Sequence, residues 1–347
     1  MAERNLFKGT GSMIAKARPR GAEWLETVLV VAIILLAAYP LITNDLYYMS
    51  IGTLAGIYIL LGVGMNVLMG HAGLVHAGYA AFYGVGAYAV AILATKYGIS
   101  VWPAALVGIV AAAILSLAIA LPAIRVSGLY FVLVTLGFGE IFRLIATNME
   151  FTGGPNGLYG IPPPMIGDFA IDSINRLYLL TLLAAGIGLL MMARLGASRV
   201  GRAWNYVRED ETAAAALGIN PILTKLQAAL LGGAAAGAAG ALFAVRQTAV
   251  SPSSFTFFES FIVILVVSIG GLRSLGGTVL GVLAMVVLPE VLRPMQQYRF
   301  LIFGFTIVLM MLFRPVGLWP GKPGRRYKRI ADDIVARKAE LEDAHDR

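Results

Sequence analysis

MSIGTLAGIYILLGVGMNVLM, residues 49–69, carries no Asp, Glu, Lys or Arg. At a rise of 1.5 Å per residue, a helix of this length spans about 30 Å, the thickness of a bilayer's hydrocarbon core. Similar runs recur on both sides of it. Windows of about 20 mostly apolar residues, broken at Gly, Pro and charge, fall at 24–42, 49–69, 76–95, 101–121, 128–147, 176–193, 222–245, 257–272, 275–292 and 300–313. The expected fold is therefore an all-α integral membrane protein of about ten transmembrane helices.

Composition agrees. Of the 347 residues, 59% are hydrophobic and 13% charged, against about 25% charged in soluble domains. The segments divide as a polar, basic head (1–23), a transmembrane domain (24–313) and a charged tail (314–347). Residues 1–20 precede an apolar stretch at 27–42 with no small-residue cleavage site behind it, which predicts a retained first helix rather than a signal peptide.

Charge sets the expected orientation. With the N-terminus inside, 21 of the 27 Lys and Arg residues fall on the inner side and six on the outer; basic residues are retained in the cytoplasm during insertion. Both termini are then cytoplasmic. The cluster Lys322, Arg325, Arg326, Lys328 and Arg329 follows the last window, where it would meet anionic headgroups.

Two connections exceed plain turns. The outer one, 148–175, contains Thr152-Gly153-Gly154-Pro155-Asn156-Gly157 and Pro162-Pro163-Pro164, which favour turn and extended backbone and predict a compact external lid. The inner one, 194–224, contains Glu209, Asp210 and Glu211, then Ala213, Ala214, Ala215 and Ala216, then Leu217-Gly218-Ile219-Asn220-Pro221. Acids suit a helix start, alanines propagate it, and Gly218 with Pro221 ends it.

The sequence also excludes much chemistry. Cysteine is absent, so thiolate nucleophiles and cysteine-bound metals are excluded. His71 and His76 lack a nearby Glu or third His, which makes them poor metal ligands and better structural or interfacial residues. No Gly-x-x-x-x-Gly-Lys-Ser/Thr loop occurs, so the chain is not expected to hydrolyse nucleotide, and no His-Glu-x-x-His or Gly-x-Ser-x-Gly motif points to an enzyme. The net charge of +8 sits at chain ends and between apolar runs rather than in a basic stripe interleaved with aromatics, which argues against nucleic acid.

Within the apolar runs, Gly52, Gly56, Gly62 and Gly64 form one set of small residues and Gly232, Gly233, Gly237 and Gly240 another, a spacing that lets backbones approach in lipid. Gly70-His71-Ala72-Gly73 and Gly78 interrupt a run with polar or flexible residues, as broken helices lining a solute path do. Glu140 and Arg143 are three apart on one helix face and can pair. An ion pair near the outer interface is the expected arrangement, with gating or contact to a zwitterionic solute as the alternative; His71, Glu140 and Arg143 are the pathway candidates.

Taken together, several strings resemble the LivM-type permease subunits of branched-chain amino acid ATP-binding cassette importers, within the hydrophobic amino acid and amide uptake group. They are MNVLMGHAGL (65–74) with 78–88, VTLGFGEI (134–141) with 152–157, GRAW (201–204) through Glu209-Asp210 to Gly218-Ile219-Asn220, Ser251-Pro252 with 255–260, GGL (270–272) with Gly276-Gly277, and LFRPVGL (312–318). Thr212 departs from the family's wording, as does His76.

The resemblance implies a permease fold with broken helices and a cytoplasmic coupling helix at Glu209 to Asn220, docking on partner ATPases that bind the ATP and Mg. It also implies a homologous second permease and an external solute-binding protein that meets Thr152 to Gly157. No cofactor is expected in this chain. Urea or short amides as cargo, and an ion-coupled secondary transporter, are the alternative readings; the latter would show intramembrane carboxylates or an inverted repeat.

Overall fold

A computed structural model describes residues 45–291, except 125 and 127, together with 304 and 317–319. The windows at 24–42 and 300–313, the head, and most of the tail lie outside the described residues. Helix α1 (Leu46–Met65) runs into a π-helical turn at Asn66–His71. Then come α2 (Tyr79–Lys96), α3 (Val101–Ala123), α4 (Leu129–Asn148), α5 (Ile174–Ala197), α6 (Arg199–Glu209), α7 (Glu211–Ala216), α8 (Pro221–Gln247), α9 (Phe257–Gly270) and α10 (Leu275–Val282). A second π-turn, Leu283–Val287, leads into α11 (Leu288–Val291).

Each of the eight windows within the described residues meets a helix. Among the described residues six helices are long and apolar enough to cross a membrane: Leu46–His71, Val101–Ala123, Leu129–Asn148, Ile174–Ala197, Pro221–Gln247 and Pro252–Gly270. α2 is made more polar by Tyr79, Tyr83 and Tyr88, all three buried. The helix carrying Leu275–Glu290 is shorter than a full span.

α8 is the hub, packing along α2, α3 and α1. Its small residues make that possible. A Cβ added at Gly240 would stand 2.7 Å from Ala87 N, and one at Gly237 would stand 2.9 Å from Ile109 Cα. Both glycine sets of the sequence therefore serve close packing inside this chain. α5 lies on α1, and α9 pairs with α10.

The outer helices tell a different story. In α4 and α5 only 17% of the best apolar window is buried, against 72% in α1 and α8. Leu129, Leu133 and Leu144 on α4, with Leu183 and Leu190 on α5, are more than half exposed. An apolar surface of this extent needs lipid or another subunit over it.

One end of the bundle carries the only strands among the described residues. β1 (Leu158–Tyr159) pairs antiparallel with β4 (Ala249–Val250), and β2 (Met165–Ile166) with β3 (Phe169–Ala170). The 148–175 connection is thus ordered backbone at this end of the bundle. Lys96 Nζ donates to Phe151 O (2.7 Å) and stands over its ring, Trp102 Nε1 donates to Met165 O (2.8 Å), and Arg176 Nη1 donates to Ala170 O (2.7 Å). The opposite end carries α6 and α7.

Candidate coupling site and pathway elements

α6 is short and amphipathic. Gly201, Trp204 and Val207, three residues apart, turn inward. Trp204 is fully buried; its Nε1 donates to Thr224 O (3.0 Å) and its ring lies 6.2 Å from that of His71. At the C-terminal turn Arg208 Nη1 donates to Gly70 O, tying α6 to the π-turn of α1. Burial and the neighbouring Arg273 guanidinium draw the Arg208 guanidinium below the ordinary arginine value, while Glu209 acts the other way.

Asp210 separates α6 from α7 and caps the latter: its Oδ1 accepts from Thr212 N (2.9 Å) and Ala213 N (3.0 Å). α7 ends in a Schellman arrangement, with Ile219 N bonded to Ala214 O (3.0 Å), Gly218 N to Ala215 O (2.9 Å), and Gly218 in the left-handed region at φ 80°. Asn220 then caps α8 by accepting from Leu223 N (3.2 Å), with Pro221 as the first helical residue. The sequence reading needs two corrections. Glu209 closes α6 instead of opening α7, and Pro221 starts α8 instead of helping to end α7.

Lys225, 8% exposed, reaches back to Glu211 at 2.5 Å and staples α7 to α8. Ala214 is the buried residue of α7, whereas Ala213, Ala215, Leu217, Ile222 and Leu223 are exposed. A cavity of about 450 Å³ lies beside this element, lined by Gly73, Phe131, Arg208, Glu211 and Lys225 among others.

The π-turn of α1 carries a second junction. Asn66 is 1% exposed; its Nδ2 donates to Thr278 Oγ1 (2.8 Å) and Ser274 O (3.1 Å), and its Oδ1 accepts from Arg273 N (2.9 Å). The α9–α10 turn is thereby clipped to α1, with Arg273 held at φ 63°. Sequence reasoning did not single Asn66 out. A lone amide within a run that is otherwise apolar was the available signal.

Glu140 and Arg143 do pair, with Arg143 Nε 2.8 Å from Glu140 Oε2. They sit in the half of α4 that ends at the strand side, eight and five residues before its last residue, Asn148. Their side chains are about one third exposed, 36% and 34%. His71, the third pathway candidate, is 7% exposed against Trp204 and lies at the α6–α7 end, away from the ion pair. His76 is wedged between the rings of Phe82 and Phe131.

At the strand end, Thr152 Oγ1 donates to Ala146 O and Met149 O, both at 2.7 Å. Gly153, Gly154 and Gly157 all have positive φ, with Pro155 and Asn156 in the short 3-10 turn between them. The sequence-predicted residues Thr152 to Gly157 are thus one tight turn against α4. A half-buried acid that sequence reasoning missed lies between α1 and α9, where Tyr58 Oη donates to Glu259 Oε2 at 2.5 Å. Among the described residues no group of three His, Asp or Glu side chains could hold a metal ion.

Six apolar helices long enough to cross a membrane, packed through small residues, define a multi-pass membrane protein. The chain belongs to the family described as the permease component of branched-chain amino acid transport systems, whose sequence model matches residues 47–313. It is 39% identical over 316 residues to the high-affinity branched-chain amino acid transport system permease protein LivM of Escherichia coli K12, covering 84% of this chain and 74% of that protein. The Salmonella typhimurium protein of the same name is 39% identical over 322 residues, covering 86% and 74%. A probable branched-chain amino acid transport permease of Methanocaldococcus jannaschii is 26% identical over 320 residues, 77% of this chain and 92% of that protein. No solved structure matches the chain.

Proposed function

We propose that the chain is one membrane-spanning permease subunit of an ATP-binding cassette importer for branched-chain amino acids, resident in the inner membrane of a bacterium. It provides half of a translocation pathway and makes no covalent change to its cargo. Its partners are a homologous second permease, two ATPase subunits that bind the ATP and Mg, and an external solute-binding protein. The observation that carries the reading is 39% identity over most of the chain to two permeases named for this transport.

About ten spans then place both termini, the basic tail and the α6–α7 projection in the cytoplasm, with the 148–175 connection outside. Glu209 to Asn220 is the coupling element. Its capped ends let it move as a rigid piece, and exposed Leu217, Ile222 and Leu223 supply an apolar surface for an ATPase groove. Thr152 to Gly157 contribute to the surface that receives the loaded binding protein. An ion pair about one third exposed on an apolar helix is costly against lipid, so the Glu140–Arg143 face of α4 turns toward the partner permease and the path.

The test is uptake of labelled leucine, isoleucine and valine in cells lacking the chain and complemented with it, with urea and short amides as competitors. Deleting Ala213 to Gly218 should abolish uptake while the chain still inserts. The double surface variant Leu217→Glu, Leu223→Glu, which leaves the fold's core untouched, should do the same. Normal uptake by both rejects the coupling role; uptake blocked by urea but not by valine rejects the substrate class.

A further inference from the structure

At the strand end a cavity of about 390 Å³ opens between the start of α1, the start of α5 and the end of α8. This lies within the range of about 300–1,000 Å³ occupied by small-ligand sites. Its lining combines three kinds of chemistry. Arg246 supplies a cation, Asp172 an anion, and Ile174, Leu177 and Val245 an aliphatic wall.

The cation is poorly matched by what surrounds it. Arg246 makes long contacts to neutral acceptors, Ser50 Oγ at 3.2 Å, Ser50 O at 3.4 Å and Gln247 Oε1 at 3.3 Å. Among the described residues no carboxylate is ion-paired with it, and the charge of Glu290 acts on it only from further away. Beside it stands the start of α5, a long helix whose Ser173 makes no side-chain capping bond, so its first amides remain as donors with the positive end of the helix dipole behind them. Two features that attract a carboxylate thus border one cavity. Asp172 Oδ1 is held by Arg176 at 3.1 Å, leaving the second oxygen as an acceptor.

We propose that this cavity is a receiving site for a free aliphatic amino acid within the permease itself. It takes the α-carboxylate at Arg246 and the start of α5, the ammonium at Asp172, and the branched side chain against Ile174, Leu177 and Val245. The inference rests on the proposed import of amino acids and adds to it a place where the solute pauses after leaving the binding protein. Such a site also discriminates: a zwitterion brings a counter-charge to both Arg246 and Asp172, whereas urea or an amide brings none.

The test uses the full chain in nanodiscs and saturation-transfer NMR, which detects weak ligands. Leucine should give a saturable signal at its methyl groups. 4-Methylpentanoate, which lacks the ammonium, and 3-methylbutylamine, which lacks the carboxylate, should each bind at least about tenfold more weakly, the factor that 1.4 kcal/mol represents. Arg246→Gln should abolish the leucine signal and Asp172→Asn should weaken it, with unchanged circular dichroism and thermal midpoint showing that both variants fold.

Equal signals from leucine and both analogues, or from the parent and both variants, overturn the site, as does no saturable leucine signal at all. Leucine uptake in reconstituted transporter, measured in parallel, separates the two claims. Uptake by the parent with no binding in this cavity rejects the site alone. No uptake of any branched-chain amino acid by the parent rejects the proposed function, whatever the binding result.

Discussion

Replacing Asn66 by Ala removes the clip between α1 and the α9–α10 turn. Three hydrogen bonds disappear, but their partners fare differently. Ser274 O still accepts from Thr278 N and Thr278 Oγ1, both at 3.0 Å, so Thr278 and Ser274 satisfy each other. Arg273 N loses its acceptor, at a residue already held at φ 63° without being glycine. Leaving such a donor without a partner costs about 1–3 kcal/mol, and the two other bonds contribute about 1 kcal/mol each. The expected loss is thus about 3–5 kcal/mol, read as a shift in detergent-titrated unfolding of the full chain followed by circular dichroism. Thr278→Val breaks one of the same bonds, so a double-mutant cycle should return a coupling of about 1 kcal/mol. A loss below about 0.5 kcal/mol for Asn66→Ala, or additive single and double variants, would refute this account of the junction.

Two glycines on α4 make a paired test. A Cβ at Gly139 would stand 2.9 Å from Gly78 Cα while one at Gly137 meets nothing within 4 Å, so Gly139→Ala should lower the unfolding midpoint and Gly137→Ala should leave it unchanged or raise it by up to about 1 kcal/mol through helix propensity. Gly218→Ala should cost about 1–2 kcal/mol of local stability because only the left-handed backbone is at issue there; faster hydrogen exchange confined to 211–220 is the readout. Neutralising Glu140 or Arg143 singly should reduce uptake more than replacing both with Gln, because each single change leaves one charge on an apolar helix without its partner; equal loss in all three variants would assign the two charges separate roles.

How much of this was legible in the sequence follows from which forces act locally. Spans were legible because apolar length is a local property, and all eight windows within the described residues meet helices. The Gly218–Asn220 punctuation was legible for the same reason, since caps and left-handed turns depend on a few adjacent residues. α6 was missed, although Gly201, Trp204 and Val207 mark its inward face, because Arg199, Arg202 and Arg208 made the stretch read as a charged loop. Asn66, Arg246 and the Asp172–Arg176 pair were not legible as parts of sites. Their roles depend on partners 207, 196 and four residues away, and only the last separation is visible along the chain. The Glu140–Arg143 pair was legible because its i,i+3 spacing is local and the window 128–147 matches α4 to within one residue.

The two junctions on the π-turn share one physical consequence. Arg208 from α6 bonds to Gly70 O at its end, and Asn66 at its start bonds to the α9–α10 turn, so six residues connect the projecting helices to an element on the far side of α1. A π-turn suits this place because its wider winding can revert to α-helical winding by shifting one residue, a discrete rather than graded change. Displacement of α6 by a partner would then reach α9 and α10 through Asn66 without passing through the tightly packed α2–α3–α8 core, where Gly237 and Gly240 leave no room to slide. The cavity lined by Arg208, Glu211 and Lys225 supplies the space into which α6 and α7 can move. Because α9 and α10 are themselves held together by buried aliphatics such as Val263, Val266 and Val282 and by the close approach of Gly270 to Gly277, such a displacement would move them as one unit.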